Sequence, residues 1–133
     1  MRTIRLGFVL IMLIAAMIAC SFNFSTAKIS SVKMTSDEGG ETETSVYAPT
    51  DTFFCIVELD NAPDDTKTKA VWKVVEAEGQ EPGFQIGEYE LESGSGTLTF
   101  QISPDTEWPV GKYSCEVYLN DEKKETVEFD VQA

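Results

Sequence analysis

From residue 52 to residue 131, segment after segment places apolar side chains at every second position. A period of two is the signature of strands with one buried face, because successive side chains point to opposite sides of a pleated backbone. Phe53, Cys55, Val57 and Leu59 share one face of the first such segment, and Ala70, Trp72 and Val74 share one face of the next. Leu98, Phe100 and Ile102 follow, then Tyr113, Cys115, Val117 and Leu119, and last Val127, Phe129 and Val131. No segment sustains a helical period, so the expectation is an all-β domain of two packed sheets.

The connections between these segments read as turns. Residues 37–44 (DEGGETET) form a loop by composition, and Pro49 ends a short strand piece at residues 45–48. Asn120-Asp121 suits a tight hairpin, because both residue types tolerate a left-handed backbone. Residues 26–34 are read as a first strand, although their alternation has no clear phase. In the stretch 84–91, Phe84 and Ile86 lie out of phase with Tyr89 and Leu91, which predicts a bulge at Gly87. On the outward positions, Phe54, Ile56, Val71, Val75 and Tyr118 are apolar or aromatic; they would form a binding patch if they cluster, or else be covered by the first strand and the middle strand.

The N-terminus carries a different signal. Arg2 and Arg5 precede an uninterrupted apolar or small-residue run at residues 6–19, the pattern of an export signal. That run is shorter than the roughly 20 residues of a spanning helix. Met17-Ile18-Ala19-Cys20 resembles the bacterial lipobox, whose cysteine receives diacylglycerol before cleavage. Cleavage after Ala27 is the competing reading. The expected organisation is a lipoprotein signal peptide at residues 1–19, a short lipidated tether at residues 20–25 and one domain at residues 26–133. Three cysteines are an odd number for an exported chain. If Cys20 carries lipid, Cys55 and Cys115 remain as a pair.

Charge excludes several partner classes. From Cys20 onward the chain has 8 Lys against 23 acidic residues, a formal charge of −15, with no Arg and no His. Phosphate recognition favours Arg forks or basic patches. Nucleic acid and anionic headgroups are therefore poor partners, and the expected partners are a membrane, through the lipid anchor, and an envelope protein or other extracellular ligand. Without His there is no Ser-His or Cys-His nucleophile pair, and no Gly-x-Ser-x-Gly elbow occurs. The chain is read as non-catalytic and without a cofactor. Asp60, Asn61, Asp64 and Asp65 place four oxygen-bearing side chains within six residues, which would suit calcium, although turn chemistry alone explains Asp, Asn and Pro there.

Cys55, Trp72 and the segment Gly111-Lys112-Tyr113-Ser114-Cys115 together resemble the immunoglobulin-like sandwich over residues 45–131. The resemblance implies a two-sheet antiparallel sandwich of about seven or eight strands. It also implies one inter-sheet disulfide between Cys55 and Cys115, Trp72 packed against it, and a Tyr113 hydroxyl bonded back to the chain just upstream. A bridge closing a loop of that length would stabilise by about 4 kcal/mol. Pro109 stands where the family has an acidic residue, and its usual Arg partner is absent. With the Cys20-Ser21-Phe22 start and Trp108-Pro109-x-Gly111-Lys112-Tyr113, the chain is similar to small bacterial surface lipoproteins. No catalytic residues come with that resemblance. The function expected is a lipid-anchored, extracytoplasmic interaction or binding module. The alternatives are an acidic structural surface protein, or a divalent-ion binder using residues 60–65.

Overall fold

A computed structural model describes residues 26–133. The export segment, the lipobox and Cys20 lie outside the described residues. Eight strands follow in chain order: β1 (Lys28–Thr35), β2 (Val46–Tyr47), β3 (Phe53–Asp60), β4 (Thr66–Ala77), β5 (Gln85–Ser93), β6 (Gly96–Ile102), β7 (Gly111–Leu119) and β8 (Glu122–Val131). They form a three-stranded sheet ordered β1-β3-β6 and a five-stranded sheet ordered β2-β8-β7-β4-β5. Every pairing is antiparallel except the short β2–β8 contact.

Alternation places the core. The inward residues of β3, β4, β6, β7 and β8 are buried, with Leu98 and Val127 only partly so. Trp72 is fully buried and pairs with Cys115 on the neighbouring strand. The ring of Phe53 lies at its other side, 6.0 Å between centroids, and Phe129 meets Trp72 edge-on at 6.1 Å. The Trp72 indole N–H finds no acceptor, so the hydrophobic gain of burying the ring is offset by an unpaired donor.

The disulfide expected between Cys55 and Cys115 is not formed. The two cysteines face each other across the core as free, fully buried thiols 3.4 Å apart, against roughly 2.05 Å for a bond. A thiol–thiol hydrogen bond to Cys55 and burial together push the Cys115 thiol well above its ordinary pKa, so Cys115 is held protonated. The sheets are therefore joined here by packing and one weak hydrogen bond.

Two irregularities explain what alternation left obscure. In β1 the register shifts between Ile29 and Ser31, so Ile29 faces the core in one phase and Val32 and Met34 in the other. In β5 the register against β4 shifts between Trp72 and Lys73, with Ile86 the extra residue beside Gly87. The chain's changeover between sheets is made by residues 36–45. Their loop lies over the outer face of β3, where Gly40 sits against Ile56. A Cβ on Gly40 would stand 3.1 Å from Ile56 Cγ1, and its φ of +72° is itself a glycine conformation. The Asp37 carboxylate accepts the N–H groups of Glu41 and Thr42, which knit the loop and lower the Asp37 pKa.

Candidate binding face

The outward apolar residues do not cluster into a patch. Ile56 is buried under the 36–45 loop, and Val71 is buried on the outer face of the five-stranded sheet. Above Val71, Glu116 is ion-paired with Lys73 at 2.9 Å and Lys123 at 3.6 Å, and accepts the Tyr118 hydroxyl at 3.2 Å. Burial alone would raise the Glu116 pKa, but these partners outweigh it and hold the carboxyl below its usual value. Phe54, Val75 and Tyr118 are only half-buried, so no contiguous apolar surface forms from this set.

Exposed apolar area gathers elsewhere, on β5. Phe84, Tyr89 and Leu91 are 52%, 48% and 41% exposed although the register puts them on the inner face of their sheet. The reason is topological. β5 is the edge strand of a five-stranded sheet that faces a sheet of only three, whose own edge strand is β6. The sandwich is therefore open along this side, between two edge strands. Ile102 of β6 reaches Gly87 across the gap. Its Cδ1 would lie 2.8 Å from a Cβ placed on Gly87, so glycine is what lets the two edges touch.

That contact divides the open side into two clefts. The first, about 320 Å³, lies between Phe84, Ile86, Trp108 and Tyr113, with Asp105 and Glu107 at its rim. Trp108 stacks on Phe53 at 4.6 Å and donates its indole N–H to the Asp51 carbonyl, which makes the aromatic wall rigid. Tyr113 donates its hydroxyl to the Pro109 carbonyl, and Pro109 closes the same loop. The second cleft, about 460 Å³, is a groove between Tyr89 and Leu91 on one side and Thr99, Phe100 and Ile102 on the other. A third hollow, about 500 Å³ at the end of β4 and β7, is lined by Ala77, Val110 and Val131 together with Glu76, Lys112 and Asp130.

The acidic turn is placed differently from expectation. Asp60, Asn61, Asp64 and Asp65 are all exposed, and among the described residues no three Cys, Asp or Glu side chains come together as a metal site. The turn docks on its neighbours instead. Ser95 accepts the Ala62 N–H, and the Asn61 carbonyl accepts the Thr26 hydroxyl. Trp72, Tyr113, Cys55 and Cys115 are brought together but have no exposed surface. The residues with surface to offer, Phe84, Tyr89 and Leu91, gave one sequence signal, the phase change across Gly87.

The sequence matches no protein-family model and no curated protein. Solved structures do share its fold. An immunoglobulin-like protein from Pseudomonas aeruginosa superposes with a TM-score of 0.54 at 15% identity, over 80% of this chain and 96% of that one. An alkylpurine DNA glycosylase from Pseudomonas fluorescens, bound to DNA with an abasic site analog, gives 0.54 at 16% identity over 82% of this chain. A β-glucosidase from Listeria innocua gives 0.53 at 14% identity over 80%. This chain spans 31% of the glycosylase and 16% of the glucosidase, so in both it matches only a part. At these identities the likeness is one of fold. The chain is an all-β, immunoglobulin-like sandwich of eight strands.

Proposed function

We propose that this chain is an exported, lipid-anchored, non-catalytic binding module that holds a partner along the open side between β5 and β6. The observation that carries the reading is the exposure of Tyr89 and Leu91 on the inner face of an edge strand, with Phe84 exposed just before it. Such a face exposes apolar area that the fold has the means to cover, and contiguous exposed apolar surface marks interaction sites. An edge strand adds unpaired backbone N–H and C=O groups beside it. Export and anchoring are supported by Arg2, Arg5, the apolar run at residues 6–19 and Cys20. The acidic balance disfavours nucleic acid, although one fold neighbour is a DNA-bound enzyme.

Two experiments test the two halves of the proposal. Cys20→Ser should release the protein from the membrane fraction, and continued membrane association would refute anchoring at Cys20. A photocrosslinking side chain at position 91 should capture an envelope component that the same group at the exposed position 124 of β8 does not. Equal capture at both positions, or none at 91, would refute the binding face and leave an acidic surface protein with no specific partner.

A further inference from the structure

The outer face of β5 says what kind of chain its free edge accepts. Glu88, Glu90 and Glu92 alternate there with Tyr89 and Leu91 on the inner face, so one row of carboxylates runs along the edge at about 7 Å spacing. All three are exposed. Among the described residues the ion pairs are Lys73–Glu116, Lys112–Glu128, Lys123–Glu116 and Lys124–Glu122, and none reaches this row. Lys69 lies opposite Glu90 in register, but its ammonium sits 4.8 Å from the Tyr118 ring centroid instead.

The other edge of β5 shows the matching pattern already in use. β4 pairs with it as Lys67 opposite Glu92, Thr68 opposite Leu91, Lys69 opposite Glu90 and Ala70 opposite Tyr89. Cationic residues thus alternate with small inward ones, against acidic residues alternating with large apolar ones. β5 presents the same side chains to its other edge, where no strand among the described residues pairs with it. Building on the binding-face reading above, we infer that this edge takes up an extended segment of a partner protein in which Lys or Arg alternates with apolar residues. The segment adds as an antiparallel sixth strand of the larger sheet. Its cations lie beside Glu88, Glu90 and Glu92, and its apolar side chains cover Tyr89 and Leu91 and fill the groove against Phe100. Cross-strand opposite charges set the register, and main-chain hydrogen bonds supply the sequence-independent part of the affinity. A second copy of this chain would bring Glu against Glu and is disfavoured by the same charges.

The probe is a labelled peptide copying residues 66–73, TKTKAVWK, titrated against the full chain in detergent micelles and read by fluorescence anisotropy. Binding is expected, weakened about tenfold or more by the double substitution Glu90→Lys with Glu92→Lys, and less by the corresponding Glu→Gln pair. The peptide TETEAVWE should bind at least tenfold more weakly. Thermal melts of the variants report whether the fold is kept. Equal binding of the two peptides, or a change under twofold in the double Lys variant, would overturn the inference. So would a homodimer in sedimentation that the Lys variant abolishes. The two readings fail separately. If position 91 still captures an envelope component in the Lys variant as it does without substitution, the charge row is irrelevant and the binding face stands. If position 91 captures nothing in the unsubstituted chain, the face itself is refuted.

Discussion

Replacing Tyr113 with Phe isolates one bond that ties the loop before β7 to the core. The Tyr113 ring contacts Phe53, Phe129 and Trp108 at centroid distances of 5.6, 5.9 and 6.2 Å, and Phe preserves all three. Only the hydroxyl is lost, and with it the donor to the Pro109 carbonyl. A net hydrogen bond contributes about 1 kcal/mol, and leaving a shielded acceptor unpaired adds to that, so a loss of about 1–2 kcal/mol is expected. For a domain of this size that lowers Tm by roughly 5–10 °C. Equilibrium urea unfolding at pH 7 measures it directly. The same variant carries a second, independent readout. Burial pushes the Tyr113 phenol above its ordinary pKa. An unfolded tyrosine titrates near about 10, so the folded state keeps its proton to higher pH. This contribution is therefore present below about pH 10 and is lost as pH rises through the folded value. The gap between wild type and Tyr113→Phe should narrow as pH rises above about 10. Burial pushes Tyr47 in the same direction, and both proteins retain that residue. A gap below about 0.5 kcal/mol at pH 7, the range of an ordinary surface substitution, would refute the role of the bond. A gap that widens with pH would refute the burial argument.

Two further outcomes follow from the same structure. Glu116→Gln removes the carboxylate that Lys73 and Lys123 share and should cost about 1 kcal/mol at pH 7, given how much of each lysine stays in water. Because the Glu116 pKa is depressed, its contribution is present above the unfolded carboxyl value and lost as pH falls through the folded one. Acid titration of unfolding should close the gap below about pH 4, and a gap constant from pH 7 to pH 3 would refute the pairing. For the cysteines, a Cys20→Ser chain purified without reductant should show no reactive thiol when native and two when denatured, since Cys55 and Cys115 are free and have no exposed surface. No thiol after denaturation would show a bridged pair and overturn the free-thiol state.

Much of the sandwich was legible because burial on one face leaves a period of two. The inward sets on β3, β4, β6, β7 and β8 are where alternation puts them. Where a bulge adds one residue the phase is lost, which is why β1 could be read only loosely. At Gly87 the bulge was readable, because strong apolar residues flank it on both sides. Ile56 and Val71 could be read from the sequence only as outward-facing, either covered or part of a patch, and the structure covers both. Alternation reports which side of a strand a residue faces, and says nothing of a loop that covers it or of the neighbours that crowd it. The cysteines show the same limit at finer scale. Their positions were readable, while a bond between them depends on sulfur separation.

By itself the sequence determined an all-β sandwich with Trp72 and Tyr113 in its core, the acidity of the chain and the lack of His chemistry. Each follows from residue type and period, which any fold must respect. Tertiary structure alone decided where recognition surface remains. Tyr89 and Leu91 carry the same inward pattern as Val117 and Leu119, yet one pair is exposed and the other buried. The difference is strand order. β7 lies inside its sheet with the smaller sheet above it, while β5 lies at the edge, one strand beyond that cover. Strand order is set by long-range pairing, and no local pattern encodes it.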